Sequence, residues 1–136
     1  MSYYLAKTEP STYSIDDLQR DQQTAWDGVT NPQAVKAILG MKKGDKVFIY
    51  HSGGVSAIVG LATVKADGRP DPKNPKSAVA DLQFAAKLDP PTTLADVKTS
   101  KLFDDWALVR QSRLSTMAAP ESFVAWIRKR YPKSSV

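Results

Sequence analysis

The chain has 136 residues, 42% of them hydrophobic, and no cysteine. That length buries roughly two-thirds of the unfolded surface in one core, and the composition excludes disulfides, thiol nucleophiles and thiolate metal sites. Nineteen Lys and Arg against fourteen Asp and Glu leave a formal net charge of +5, which favours a polyanionic partner. No apolar stretch approaches the roughly 20 residues of a membrane span. The N-terminal stretch lacks the pattern of a signal peptide, so a cytoplasmic protein is expected.

In chain order, residues 3–7 predict a first strand, ended by Glu9-Pro10 because proline donates nothing to a ladder. Ser14 reads as an N-cap with Asp17 at the third helical position, giving a short helix over 15–20. Asn31-Pro32 is a stronger start, a capping side chain followed by a proline with a preset φ. Ala34, Val35, Ile38 and Leu39 then repeat on one face up to Gly40. Residues 46–52 form the best strand by β-branched and aromatic content. Gly53-Gly54 turns it into an antiparallel partner over 56–65. Residues 67–77, rich in proline and polar side chains, predict an exposed loop, after which 78–88 resumes as strand until Asp89-Pro90-Pro91. Thr92 or Thr93 caps a short helix through Lys98, and 102–106 makes another helical turn. Residues 107–110 and 114–117 read as short strands bracketing the polar corner Gln111-Ser112-Arg113. A final helix over 120–130 carries Phe123, Trp126 and Ile127 on one face. Short strands with small inserted helices and no βαβ alternation imply an α+β fold, a bent mixed or antiparallel β-barrel with flanking short helices. The whole chain, 1–136, reads as one domain.

Four stretches in order carry a family likeness: Tyr4-Leu5-Ala6-Lys7-Thr8-Glu9-Pro10, Trp26-Asp27-Gly28-Val29-Thr30-Asn31-Pro32-Gln33-Ala34, Phe48-Ile49-Tyr50-His51-Ser52, and Leu108-Val109-Arg110-Gln111-Ser112-Arg113-Leu114-Ser115. Together they resemble the EVE domain family, with further similarity at Ile58-Val59-Gly60, Pro70-Asp71-Pro72 and residues 93–98. The resemblance implies a PUA-like barrel, related to YTH and ASCH domains, and a role in recognising modified bases, notably modified cytosine in DNA or modified RNA. Two positions depart from the family pattern. Thr30 stands where an Arg is usual, which removes a donor, and Met117-Ala118-Ala119 stands where the family has a proline-containing segment.

A flipped base offers two π faces and one hydrogen-bonding edge, so its reader needs flat walls and a few fixed donors and acceptors. Trp26, followed by Gly28, is the first expected wall, and Asn31 is available to cap its helix or meet the base edge. Read without the resemblance, Trp26 is a core tryptophan. Tyr50, His51 and Ser52 are further pocket candidates; alternation along a strand puts His51 on the opposite face from the other two, which speaks against a Ser-His dyad. His51 is the only histidine, so no multi-histidine metal site is expected, and no cofactor. Gln111 and Ser112 supply polar edge groups, while Lys7, Lys36, Arg110 and Arg113 are the expected phosphate contacts. Six of the cations, Arg110, Arg113, Arg128, Lys129, Arg130 and Lys133, lie in the last quarter of the chain, and much of the phosphate-facing charge is expected there. Trp106, Trp126 and Tyr131 are expected to pack the closing helix.

The expected function is therefore a monomeric, non-catalytic reader of nucleic acid carrying a modified base, with 5-methylcytosine or 5-hydroxymethylcytosine in DNA foremost. The alternatives are a modified-RNA binder, a small ASCH-like hydrolase using Lys7, Glu9 or His51 on a modified nucleoside, and a module for an acidic protein partner.

Overall fold

The computed structural model describes residues 1–134 and 136. The elements in order are β1 (Tyr3–Thr8), α1 (Ile15–Asp21), β2 (Gln23–Val29), α2 (Pro32–Leu39), β3 (Lys46–His51), β4 (Ala57–Asp71), β5 (Asn74–Thr93), α3 (Leu94–Ser100), α4 (Ala107–Arg110), β6 (Thr116–Ala119) and α5 (Glu121–Arg130). The strands form one mixed sheet in the order β2-β5-β4-β3-β1-β6. β1 and β3 run parallel, and the other pairs are antiparallel. Register shifts recur along β4 and β5, and each such bulge adds local twist and bends the strand. The sheet curls accordingly, with β2 and β6 as its edges.

Period-two alternation divides the buried side chains between the two faces. Tyr4, Ala6, Val47, Ile49, Val59, Ala62, Val64, Ala80 and Leu82 join Trp26 in one cluster, closed by Ile15 and Leu18 of α1 and Ile38 of α2. Leu5, Phe48, Tyr50, Ile58 and Leu61 form the other, covered by Val97, Leu108, Phe123, Val124 and Ile127 of the later helices. Trp106 and Trp126 pack there against Phe123, with ring centroids 4.5 and 5.8 Å away, and Tyr131 is buried in the same cluster.

The helix starts follow the capping chemistry. Ser14 Oγ accepts from the Asp17 N–H at 3.1 Å while the Asp17 carboxylate accepts from the Ser14 N–H at 2.9 Å, a closed capping box. Thr93 and Asp96 repeat it at α3. Asn31 Oδ1 accepts from both Gln33 and Ala34 N–H groups at the start of α2.

The structure corrects the sequence reading at six places. Residues 67–77 are no loop: they are the end of β4, a turn and the start of β5, a two-stranded arm. The arm runs past both neighbouring strands, since β3 pairs with β4 only up to Thr63 and β2 with β5 only between Ala78 and Gln83. Each arm strand thus has a free side, where Pro70 and Pro75 cost no ladder bond. For the same reason β5 continues through Pro90 and Pro91 to Thr93. Residues 107–110 are the helical turn α4, and the strand expected at 114–117 lies at Thr116–Ala119 instead. Residues 102–106 make turns and bends without helix. β2 was not expected at all, because this edge strand buries only Trp26 and so shows no alternation.

Candidate nucleic-acid interface

Residues 26–29 of β2 carry a register shift against β5, with Gly28 at φ +77. That conformation costs glycine nothing and a side-chain-bearing residue a good deal. The irregularity lets Trp26, Asp27 and Val29 line one cleft instead of alternating across the strand. The other lining residues are Lys7 and Thr8 at the end of β1 and Thr12 and Tyr13 in the loop after it, with Thr24 and Ala25 adding to the β2 side. β1 and β2 are separated in the sheet by three other strands, so their meeting in one cleft follows from the curl. The cleft holds about 340 Å³, at the small end of ligand sites, which run to about 300–1,000 Å³.

Trp26 is 8% exposed and belongs to the first core cluster, so its indole is fixed by packing while also contributing to the cleft. Tyr13 is a second aromatic in the cleft; its hydroxyl donates to Asp21 at 3.0 Å, and burial raises its pKa, with Asp21 adding. Thr8 Oγ1 donates to the Tyr13 carbonyl at 2.8 Å, which fixes the loop that carries the ring. Sequence reasoning missed Tyr13, and the signal available was an aromatic standing beside a helix cap in an otherwise polar loop. It also missed Asp27 and the threonines.

Lys7 joins the cleft to the 111–113 corner. Its Nζ donates to the Ser112 carbonyl at 3.0 Å and lies 5.4 Å from the centre of the Tyr50 ring, a cation–π arrangement. Its own N–H donates to the Ser115 carbonyl at 2.7 Å. Burial lowers the pKa of the ammonium. An ammonium has three donors, so two remain for a ligand after Ser112 has taken one.

The other candidates are placed elsewhere. Tyr50 is buried in the second cluster beneath Lys7. His51 turns to α1, its Nε2 accepting from the Ile15 N–H at 3.0 Å. Burial lowers its pKa below the ordinary 6.5, with the neighbouring Asp16 carboxylate opposing the shift and Lys87 adding to it. Ser52 is held by its own N–H on the Thr8 carbonyl and does not line the cleft. Asn31 spends its side-chain oxygen on the α2 cap. Gln111, Ser112 and Arg113 form an exposed corner, and Lys36 is exposed on α2. Arg110 pairs with Asp105 at 3.1 Å and donates to the Asp104 carbonyl. A larger hollow of about 630 Å³ lies between the start of β1, β6 and α5; of the C-terminal cations expected to face phosphate it is lined by Arg128, and none of the base-pocket candidates lines it. No helix of the described residues is long and apolar enough to cross a membrane. No cluster of potential metal ligands occurs among them.

The chain is similar to known proteins along most of its length. Thymocyte nuclear protein 1 of Rattus norvegicus is 32% identical, with 72% of this chain and 56% of the relative covered. The Gallus gallus protein of that name is 30% identical, with 74% and 53% covered. The chain thus spans about half the length of the curated relatives it matches. A solved protein of Rhodopseudomonas palustris superposes with a TM-score of 0.88 at 34% identity, over 95% of this chain and 92% of that one. Human THYN1 protein, solved in complex with 5-methylcytosine-containing DNA, superposes with a TM-score of 0.87 at 25% identity, over 98% and 99%. The family model described as EVE domain matches residues 2–130, and the chain belongs to that family.

Proposed function

We propose that this chain binds DNA carrying a modified base, with the base turned out of the stack into the cleft between β1 and β2 and left chemically unchanged. The observation that carries this is the convergence of Trp26 and Tyr13 with Lys7, Asp27 and the threonines around one small cavity. These are flat walls, a donor and acceptors, the groups a heterocycle requires. The human relative's complex with 5-methylcytosine DNA supports the same reading. Cytosine fits the polar complement: a carboxylate such as that of Asp27 accepts from the 4-amino group, and the free donors of Lys7 suit the ring's acceptor edge. A methyl at position 5 gains apolar contact with a wall such as Val29, worth about 0.8 kcal/mol or roughly fourfold in affinity. His51 has its Nε2 occupied by a backbone donor, which leaves the hydrolase alternative without that base.

The test is binding to matched oligonucleotides bearing cytosine, 5-methylcytosine, 5-hydroxymethylcytosine or N6-methyladenine, together with recovery of the bound base. The modified cytosines are expected to bind best and to be recovered intact. Trp26→Ala removes a stacking partner worth about 1–3 kcal/mol, so affinity is expected to fall roughly 5- to 150-fold and the preference among bases to vanish. Equal affinity of the parent protein for all four oligonucleotides refutes the proposal.

A further inference from the structure

Much of the positive charge at the C-terminal end is spent inside the molecule. Arg110 is paired with Asp105. Arg128 donates to the Val136 carbonyl and the Tyr3 hydroxyl at 3.0 and 3.3 Å. Arg130 reaches Thr92 and Asp96 at 3.0 and 3.3 Å and lies 5.1 Å over the Trp126 ring. Arg113, Lys129 and Lys133 at this end, and Lys98 and Lys101 at α3, have no such partner among the described residues, but a further set of unpartnered cations gathers elsewhere. Among the described residues, the ammonium groups of Lys36 on α2, Lys42 and Lys43 in the following turn, and Lys73 and Lys76 on the β4–β5 arm make no hydrogen bond or ion pair.

These five belong to one assembly. The arm is fastened to the turn after α2 by the Lys43 N–H on Asp67 at 2.7 Å and the Gly68 N–H on the Met41 carbonyl at 2.9 Å. It is fastened to the cleft as well: Ala78 lies opposite both Val29 and Pro70, and Ser77 Oγ donates to the Val29 carbonyl. Val29 is a wall of the cleft, so the arm springs from its rim, and Lys76 stands two residues beyond Ala78, about 7 Å along the strand. The acids nearby are engaged. Asp67 takes the Lys43 N–H, Asp71 the Lys73 N–H, Asp45 the Ser2 and Lys42 N–H groups, and Asp81 the Arg69 side chain. Asn74 Oδ1 accepts from the Lys76 N–H at 3.1 Å. The tip is thus held by local side-chain-to-backbone bonds that leave its two lysine ammonium groups uncommitted.

We infer that the β4–β5 arm, with Lys73 and Lys76 at its tip and Lys36, Lys42 and Lys43 at its base, grips the phosphate backbone flanking the base held in the cleft. Point charges without internal partners suit phosphate oxygens, which fix register on the polymer and carry no base identity. The inference rests on the cleft being the base site, but the two respond to different measurements.

The experiment uses the full chain, its Lys73→Ala/Lys76→Ala variant, a Lys73→Arg/Lys76→Arg variant and a Lys98→Ala/Lys101→Ala control, all checked for an unchanged melting curve. Binding to duplex oligonucleotides with cytosine or 5-methylcytosine is followed across salt concentrations. Removing two phosphate contacts is expected to lower the slope of log K against log salt by about 2. Affinity should drop by the same factor for both oligonucleotides, so their ratio is preserved. The arginine variant is expected to keep the parental slope, and the α3 control to leave it unmoved. A parental slope in the alanine variant, or an equal loss in the control, overturns the inference. If Trp26→Ala leaves the ratio between the oligonucleotides intact while the arm variant lowers the slope, the cleft is refuted and the arm stands.

Discussion

His51 shows how a single side chain that is chemically attractive in sequence serves the fold. Its Nε2 accepts from the Ile15 N–H, one of the donors that a helix start leaves without an internal partner, and this requires the neutral ring. Burial holds the folded pKa below the ordinary 6.5, so the unfolded chain takes up the proton more readily than the folded one. The imidazole's contribution to stability is then complete above about pH 6.5 and is lost as pH falls through the folded value. The carboxylates of Asp17 and Asp21, both held below 3.8, lose theirs only at much lower pH. Denaturant titrations over pH 5–8 are expected to show stability declining below about 6.5. His51→Gln, whose side-chain oxygen serves the same N–H, should flatten that slope, and His51→Ala should cost about 1–3 kcal/mol at neutral pH by leaving the donor unmet. A slope that survives His51→Gln assigns the titration to another group. Strand alternation in the sequence speaks against a His51–Ser52 dyad. The sequence did not reveal the partner of His51, which lies 36 residues away and is a backbone atom without a side-chain signature.

At the scale of elements, local chemistry was legible and tertiary context was not. The caps at Ser14, Asn31 and Thr93 announce their helices because the stabilising groups lie within three residues of one another. Ala107-Leu108-Val109-Arg110 reads as strand from its apolar run yet closes as a helical turn, since a four-residue segment is decided by what it packs against. The arm escaped for a related reason: prolines argue against a strand only where both sides must be paired. Gly68 is where the arm's backbone passes close against the end of α2. A Cβ there meets the Ile38 carbonyl oxygen at 1.7 Å and its carbon at 2.7 Å, and backbone atoms have little room to yield. Gly68→Ala is therefore expected to cost about 1–3 kcal/mol by overpacking and to push the arm off α2, so the salt slope of DNA binding should shrink together with the melting temperature. Full parental stability in this variant would contradict the close approach.

At the scale of the molecule, one sheet supports two apolar clusters, and the question is whether they unfold as one. β1, β3 and β4 each contribute alternate residues to both, with Ala6 beside Leu5, Ile49 beside Phe48 and Val59 beside Ile58. α2 does likewise through Ile38 and Ala34. Melting either face frees strands that the other face needs, which makes a single cooperative transition the expectation for a chain of this size. The tryptophans allow a direct check, because Trp26 lies in the first cluster while Trp106 and Trp126 pack against the second. In a Trp106→Phe/Trp126→Phe background, fluorescence reports the first cluster alone. Phe123, fully buried at the centre of the second cluster, is then shortened to leucine, at a cost of about 1–3 kcal/mol in lost transfer energy and residual cavity. The Trp26 signal and far-UV circular dichroism are expected to move together to a lower midpoint with an unchanged denaturant slope. A Trp26 transition that stays at its original midpoint would show the clusters unfolding separately, and the walls of the cleft would then owe their rigidity to the first cluster alone. The coupled outcome means that damage at α5, on the far side of the sheet, loosens the indole on which base stacking depends.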